Sequence, residues 1–269
     1  MINLYDKTKQ GTIILSHYRS GGTQLLLALT EILLNLKEEY VNLKELDFDI
    51  ISGKSFIPQS EKLLKHNLQH TYKTILLNNS MILCNWYNRN YFEELNEKYN
   101  LVVLERRNKL KCLLSLPVWE QLIQHGLYDK KFENKEDKKK AMMKFHKHLL
   151  KNPIPYNNIH LGWENDIFTK KTHGHLSEYY YLNYLLKAFQ EEINTLHCIE
   201  NKYNLKKIWY EDYEHDSGNL HEYFQNVDKE VRTRALKDTN RKIPYVTDNF
   251  LEYFDEFTKQ TLLNWNFDD

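Results

Sequence analysis

The stretch GTIILSHYRSGGTQLLLALTEILLNL, residues 11–36, decides the fold of this chain. Residues 12–16 are a short apolar run rich in β-branched side chains, which predicts a strand. A polar loop with two adjacent glycines follows, and residues 25–36 then repeat leucine at helical spacing. The stretch therefore predicts a strand, a loop and a buried helix, the order from which parallel sheets are built.

The same alternation continues along the chain. Further strands are predicted at 74–78, 81–86, 101–104 and 207–210, and further helices at 108–124 and 176–203. These elements predict one α/β domain over residues 1–269, a three-layer sandwich with a central parallel sheet. Residues 128–175 are dense in charge and then irregular, so we expect a helical excursion over the sheet that contacts the acceptor.

The composition limits the classes of partner. The chain has 37 Lys and Arg residues and 37 Asp and Glu residues, so no overall field attracts it to nucleic acid or to an anionic membrane. No apolar run reaches the roughly 18 residues of a membrane span, and no secretory signal follows the first methionine. The three cysteines are far apart and predict neither disulfides nor a thiolate metal site. We expect a cytoplasmic protein, a monomer or homodimer without nucleic-acid or membrane partners.

The loop after the first predicted strand has the composition of an anion site. Such loops lie at the carboxyl edge of a parallel sheet, where free N–H groups and the dipole of the next helix favour an anion. Gly21 and Gly22 allow phosphate oxygens to approach the backbone closely. Ser20 and Thr23 add hydroxyl donors, and Arg19 adds a planar charged fork.

Two common nucleotide-binding loops are excluded by the sequence. The loop of nucleotide triphosphatases needs a lysine directly after its last glycine, but here Thr23 follows Gly22. The G-x-G-x-x-G pattern of dinucleotide-binding folds is also missing. The loop therefore predicts an anion cradle of another kind.

A second candidate phosphate site follows the strand predicted at 101–104. Arg107 stands at the end of this strand, and Ser115 comes eight residues later on the next predicted helix. An arginine fork and a serine hydroxyl can bind one terminal phosphate from different sides. The alternative is that the Ser115 hydroxyl is satisfied within its own helix.

The first loop resembles the 5′-phosphosulfate loop of sulfotransferases that use 3′-phosphoadenosine 5′-phosphosulfate. That loop has the pattern strand-[KR]-S-G-[TS]-[TS]-helix, and residues 19–23 are similar to it except that Gly22 replaces a hydroxyl residue. The departure removes one side-chain contact and keeps the backbone amide. The resemblance implies a cofactor-binding set that consists of Arg19, Ser20, Gly21, Gly22, Thr23 and Gln24.

Three further segments are similar to the same family. The spacing from Arg107 to Ser115 resembles the family's 3′-phosphate motif. The segment IWYED at 208–212 looks like one in which the tyrosine, here Tyr210, lies near the adenine; the alternative is a strand end with exposed acids. Arg241 and Lys242 stand where the family supplies further contacts to the 3′-phosphate. Either residue is a candidate, because the isoleucine after them interrupts the family's R-K-G signature.

The resemblance covers residues 11–128 and 205–257, and it is closest to the bacterial and phage branch similar to the trehalose sulfotransferases. It implies the P-loop-like sulfotransferase fold. It also implies transfer of a sulfuryl group from 3′-phosphoadenosine 5′-phosphosulfate to a hydroxyl or amine of a small-molecule or carbohydrate acceptor. The second product is adenosine 3′,5′-bisphosphate, and no metal is required.

Sulfuryl transfer needs positive charge near the reacting oxygens and a base for the acceptor. Arg19 is our choice for the charge, an electrostatic role that is worth roughly 3 kcal/mol for a well-placed donor. The base is assigned to Glu39, because EEYVN at 38–42 resembles the glutamate-aromatic segment of that branch. Glu38 is the close competitor, a histidine is a second possibility, and the alternative for Glu39 is a solvated acid at a helix end.

Two other functions remain open at this point. A kinase-like phosphoryl transferase would share the strand-loop-helix anion site, but it would need Mg²⁺ and the lysine that this loop lacks. The other is a non-enzymatic module that binds a nucleotide or nucleic acid. A nucleic acid would contact Arg107 and the lysine-rich excursion, and the affinity for it would fall steeply with salt. The neutral net charge argues against nucleic acid.

Overall fold

The computed structural model describes residues 2–17, 20–44, 72–77, 87–88, 90–127, 130–156, 178–214, 217–237 and 246–266. The chain divides into two compact units, Met1–Arg107 with Glu192–Arg241 and Asn108–Glu191 with Lys242–Asp269. A single domain over 1–269 therefore stays a prediction. The strand predicted at 81–86 lies outside the described residues.

A five-stranded parallel sheet forms the centre of the first unit. The strands are β1 Gly11–Ser16, β2 Tyr40–Lys44, β3 Tyr72–Leu77, β4 Asn100–Glu105 and β5 Lys206–Trp209. They lie in the order β2-β3-β1-β4-β5, and every neighbouring pair is parallel. The prediction of an α/β fold with a central parallel sheet is confirmed.

Helices account for most of the remaining described residues. They are α1 Gly22–Leu36, α2 Tyr91–Lys98, α3 Lys109–Gln124, α4 Lys135–Lys151, α5 Glu178–Tyr203, α6 Glu211–Glu214, α7 Lys229–Leu236 and α8 Glu256–Leu263. Two short 3-10 helices lie at Ser217–Phe224 and Phe250–Tyr253. None of the helices in the described ranges combines the length and the apolar character that a membrane crossing needs.

Side chains of the sheet alternate between two separate hydrophobic cores. Ile14 and Val102 face a core that includes residues of α1, α7 and the first 3-10 helix. Ile13 and Val103 face a second core that includes residues of α2 and the C-terminal part of α5. Because successive strand residues point to opposite faces, both faces of this sheet are covered by helices.

Helix α1 follows β1 directly and packs its leucines against the first core. Leu25, Leu29 and Leu33 recur every four residues and are completely buried. The helix ends at Lys37, which adopts the left-handed conformation with φ of 58° and donates its N–H to the carbonyls of Leu33 and Leu34. The leucine spacing in the sequence thus decides which face of α1 meets the sheet.

The second unit contains α3, α4, α8 and a short parallel bridge. Asn108 caps α3 by accepting the Lys111 N–H at 2.8 Å. The bridge joins Ile154 to Phe254, the residue after the second 3-10 helix. The Ile154 N–H donates to the Tyr253 carbonyl at 2.7 Å. The charged run that the sequence assigned to a helical excursion contains the regular helix α4, Lys135–Lys151.

We predict that Leu29→Ala lowers the free energy of unfolding by about 2–5 kcal/mol, because it leaves a cavity in a fully buried site. Leu27 is the matched control on the same helix, since its side chain is 48% exposed. Leu27→Ala should change the free energy by less than about 0.5 kcal/mol. Urea unfolding followed by circular dichroism measures both, and equal losses would contradict the placement of α1.

Candidate functional site

The carboxyl ends of β1 and β4 form the topological switch point of the sheet. From β1 the chain passes through α1 to β2, on one side of the sheet, whereas from β4 it next enters the sheet at β5, on the other side. Ligands of open parallel sheets bind outside the carboxyl ends of strands at such a reversal. The candidate site is therefore the loop after β1, together with the residues that follow β4 and β5.

The two glycines of the loop are fixed by close packing. Gly21 is in the left-handed conformation with φ of 94°, and a Cβ atom there would overlap the ring of Tyr210. A Cβ atom at Gly22 would overlap the side chain of Leu76. The missing hydroxyl at 22 thus has a physical cause, because Leu76 takes the space of a side chain at that position.

The N-terminus of α1 has the electrostatic character that favours an anion. Gly21 is its N-cap and provides no side-chain hydrogen bond, and the first turn contains no acidic residue to offset the helix dipole. Beside it, Ser20 is only 1% exposed, and its hydroxyl oxygen has no hydrogen-bond partner among the described residues. A buried hydroxyl without a partner costs about 1–3 kcal/mol, so a ligand that accepted its proton would remove an existing penalty.

The other residues of the predicted loop set are only partly described. Thr23 is half-buried in the first turn of α1, and Gln24 is buried with its backbone N–H donating to the Gly21 carbonyl at 3.0 Å. Arg19, Arg241 and Lys242 lie outside the described residues. Their assignments to the cofactor stay predictions.

Residues after β4 connect the loop to the end of β5. Nε2 of the buried His17 accepts the backbone N–H of Arg106 at 3.3 Å, which ties the end of β1 to the end of β4. The Arg106 guanidinium lies 4.6 Å from the centre of the Tyr210 ring, and the Tyr210 N–H donates to the Glu105 carbonyl at 2.8 Å. Tyr210 therefore holds the loop in place through Gly21 and Arg106, whereas its contact with adenine stays a prediction.

Arg107 already has partners on the surface of the first unit. Its guanidinium pairs with Asp212 at 2.8 Å and lies 5.0 Å from the Trp209 ring centre, and its N–H donates to Glu211 at 3.1 Å. The acids of the YED segment thus follow the end of β5 and contact an arginine in this structure, and both interpretations of the segment stay open. The ion pair is half exposed, with 51% of the arginine side chain accessible. It is therefore a weak contact, and a phosphate could take the place of the Asp212 carboxylate.

Ser115 belongs to the second unit, on α3. Its hydroxyl is buried and donates to the Cys112 carbonyl at 2.8 Å, the local bond that was the alternative to a phosphate contact. A shared phosphate site of Arg107 and Ser115 stays a prediction.

A buried charge cluster lies beneath the end of β4. Glu105 is fully buried, with Oε1 at 2.9 Å from Nε2 of His197 and Oε2 at 2.7 Å from Nζ of Lys207. Lys207 also pairs with Glu200 at 2.8 Å. Burial lowers the pKa of Lys207, but its hydrogen bonds to the two carboxylates outweigh this effect and raise the pKa above the ordinary value.

Three of these groups have the geometry of a metal site. Glu105, His197 and Glu200 each offer one ligand atom within 4.8 Å of the others. The Lys207 ammonium contacts both carboxylates and supplies the positive charge that a cation would bring. We therefore interpret the cluster as an ion-pair network rather than a metal centre.

Glu39, the assigned base, does not lie with the loop. It is exposed and directly precedes β2, and its carbonyl accepts the N–H of Tyr72, the first residue of β3. The loop is at the carboxyl edge of the sheet, and the 15 residues of α1, roughly 22 Å of helix, separate it from the amino edge where Glu39 lies. The assignment of Glu39 is corrected accordingly, and the same reason removes Glu38.

Several residues of this edge were missed by the sequence analysis. His17 and Arg106 connect β1 to β4, and Glu105, His197 and Lys207 form the buried network. A usable signal was present for Glu105 and Arg106, because two charged residues directly follow the apolar run of β4. His197 and Lys207 join the site only through tertiary packing, which no local pattern reports.

We predict that Glu38→Ala lowers the free energy of unfolding by about 0.5–1.5 kcal/mol, because it removes the acceptor of the part-buried Tyr5 hydroxyl. That hydroxyl donates to Glu38 at 2.9 Å. The control Glu39→Ala removes an exposed side chain and should cost less than about 0.5 kcal/mol. Thermal and urea unfolding measure both variants. A larger loss of stability for Glu39→Ala than for Glu38→Ala would contradict the prediction and show that the Glu39 side chain contributes to the fold.

Comparison with known proteins adds no relative to this geometry. No protein-family model matches the chain, and no curated protein or solved structure matches it either. The functional assignment of the chain therefore depends on its own motifs and on the contacts at the carboxyl edge of its sheet.

Proposed function

We propose that the chain is a sulfotransferase of the P-loop-like fold that uses 3′-phosphoadenosine 5′-phosphosulfate and modifies a hydroxyl or amine of a small-molecule or carbohydrate acceptor. The loop motif and the position of the loop at the switch point support this proposal. The donor supplies an activated sulfuryl group, so the protein needs to bind, orient and stabilise charge rather than to activate a metal.

The Ser20 hydroxyl, which has no hydrogen-bond partner among the described residues, carries the proposal. A buried hydroxyl just before α1, whose N-cap Gly21 makes no side-chain hydrogen bond, is costly unless a ligand completes its hydrogen bond. Gly21 adopts the left-handed conformation from which α1 begins, and the Tyr210 ring occupies the space of a side chain there; the amides of the following first turn are the donors proposed for an anionic group. These features favour a phosphate or phosphosulfate over a neutral ligand.

The residues of the loop have distinct proposed tasks. The amides of Gly22 and Thr23 and the hydroxyl of Ser20 would bind the 5′-phosphosulfate oxygens. Arg19 would add a permanent charge beside the leaving oxygens. Gly22 contributes its amide only, in keeping with the space that Leu76 takes up there.

The 3′-phosphate would displace Asp212 as the partner of the Arg107 guanidinium. Surface ion pairs such as Arg107 with Asp212 contribute about 0–1 kcal/mol, and a phosphate offers more oxygens to the same guanidinium. Ser115, Arg241 and Lys242 stay in the proposal as further contacts through the resemblance alone. Glu39 and Glu38 are not part of the proposed site, because they lie at the opposite edge of the sheet.

We predict that adenosine 3′,5′-bisphosphate binds without a divalent metal and more tightly than ATP with Mg²⁺. We expect this preference because the loop has an arginine and a serine but lacks the phosphate-binding lysine of a nucleotide-triphosphatase loop, with the metal-binding hydroxyl residue that follows it. Isothermal titration calorimetry with both ligands, each with and without Mg²⁺, measures it. Tighter binding of the Mg²⁺ complex of ATP would favour a kinase-like enzyme instead.

We also predict opposite effects of Ser20→Ala on stability and on binding. The free protein should be at least as stable as the wild type, because the buried hydroxyl that is removed has no partner among the described residues. The Kd for adenosine 3′,5′-bisphosphate should rise about tenfold or more, since a hydrogen bond to a charged group is worth about 1.5–3 kcal/mol.

Thr30→Ala on the same helix is the control for this experiment. It removes a hydroxyl that donates to the Leu26 carbonyl at 2.8 Å, away from the loop. Its effect on stability should be small and its effect on the Kd negligible. An unchanged Kd for Ser20→Ala would contradict the placement of the anion at this loop.

A further inference from the structure

The second unit contains an open cleft between the end of α3 and helix α4. Its volume is about 710 Å³, within the range of small-molecule sites. Five exposed basic side chains surround it, and they are Lys130, Lys140, Lys144, His125 and His148. None of the described residues that line the cleft is acidic.

The basic groups form a row rather than a single point of charge. Lys140, Lys144 and His148 follow one another at four-residue spacing and therefore lie on one face of α4, over a length of about 12 Å. The rings of His125 and His148 are in edge-to-face contact at one end of this row, with 4.5 Å between ring centres. In the described part of the chain neither Lys140 nor Lys144 forms an ion pair. Lys140 and Lys144 thus offer two ammonium groups that form no ion pair with a described acid.

The apolar residues among the described lining of the cleft are Phe145, Ala141 and Leu127, and none of these three presents an exposed aromatic face. Phe145 is 3% exposed, and Ala141 and Leu127 are half-buried beside it. Single-stranded nucleic acids bind to exposed aromatic platforms on which bases stack, which a buried phenyl ring does not provide. A ligand with small apolar faces and anionic groups along its length fits these apolar residues and the lysines beside them better than a single-stranded nucleic acid does.

We propose that the cleft binds an acidic oligosaccharide, a short chain of sugars whose carboxylate or sulfate groups contact the row on α4. The lysines supply charge-assisted hydrogen bonds to these groups, and the apolar faces of the sugar rings lie on Leu127 and Ala141. Binding involves no covalent step and needs no nucleotide, so it is independent of the proposed sulfuryl transfer.

Calorimetry on the full, nucleotide-free chain with tetragalacturonate tests the proposal. The probe should bind, the neutral sugar maltotetraose should not, and affinity should fall when the salt concentration is raised, because exposed charges are screened. The double variant Lys140→Gln, Lys144→Gln should raise the Kd about tenfold or more, which corresponds to about 1.4 kcal/mol.

The matched control is Lys147→Gln with Lys151→Gln. These lysines have the same spacing on the same helix and are exposed, but they do not line the cleft. The control should change the Kd by less than about twofold at 0.15 M salt. Circular dichroism of both double variants checks that α4 is retained.

Three results would overturn the proposal. Equal affinity for maltotetraose would show that charge is not recognised, and an equal loss in the control variant would show that only the total charge matters. Tighter binding of an eight-residue oligothymidylate, lost in the Lys140 and Lys144 variant, would assign the cleft to nucleic acid. The sugar controls use wild-type protein, so the test holds even if a variant folds poorly.

Discussion

The parallel pairing of β1 with β3 on one side and β4 on the other is the constraint on which the candidate site depends. The register opposes Ser16 to Leu104, so the residues that follow both strands emerge at the same level of one edge. His17 and Arg106 then meet through a hydrogen bond from backbone to ring. A slip of this register by one residue would send the side chains of a strand to the wrong core, so the two buried faces of the sheet also fix the geometry of the edge.

Two buried serines of the chain illustrate how a site differs from ordinary packing. The Ser115 hydroxyl, in the second turn of α3, donates to a carbonyl of its own helix. The Ser20 hydroxyl stands before α1, where the helix begins with a left-handed glycine, and no described group accepts its proton. Proteins satisfy most buried polar groups, so the exception at Ser20 is the more informative of the two.

Most of the sheet could be predicted from the sequence, because its strands are apolar runs bounded by polar residues. The predictions for β1, β3, β4 and β5 and for helices α1, α3 and α5 agree with the structure to within a few residues. Strand β2 was missed because its YVNLK sequence directly follows a glutamate pair that was interpreted as catalytic. That error has a geometric cause: a motif spacing measured along the chain does not report that α1 carries Glu39 to the opposite edge of the sheet. Local patterns also could not predict Lys207 beneath Glu105, since the two residues come from different strands.

Positive and negative charges near the ends of β4 and β5 are nearly balanced, so anion binding would depend on local hydrogen-bond donors. The described acids near the ends of β4 and β5 each contact a basic group: Glu105 with Lys207, Glu211 with Arg106, and Asp212 with Arg107. An anion would therefore meet little net field from these pairs, in agreement with the neutral composition of the whole chain. Without Lys207, however, the buried Glu105 carboxylate would repel a ligand through a medium of low dielectric. In the proposed site Lys207 would thus act without touching a ligand: it offsets the charge of Glu105 behind the loop, which would favour an anion at the amides of α1 and the Ser20 hydroxyl.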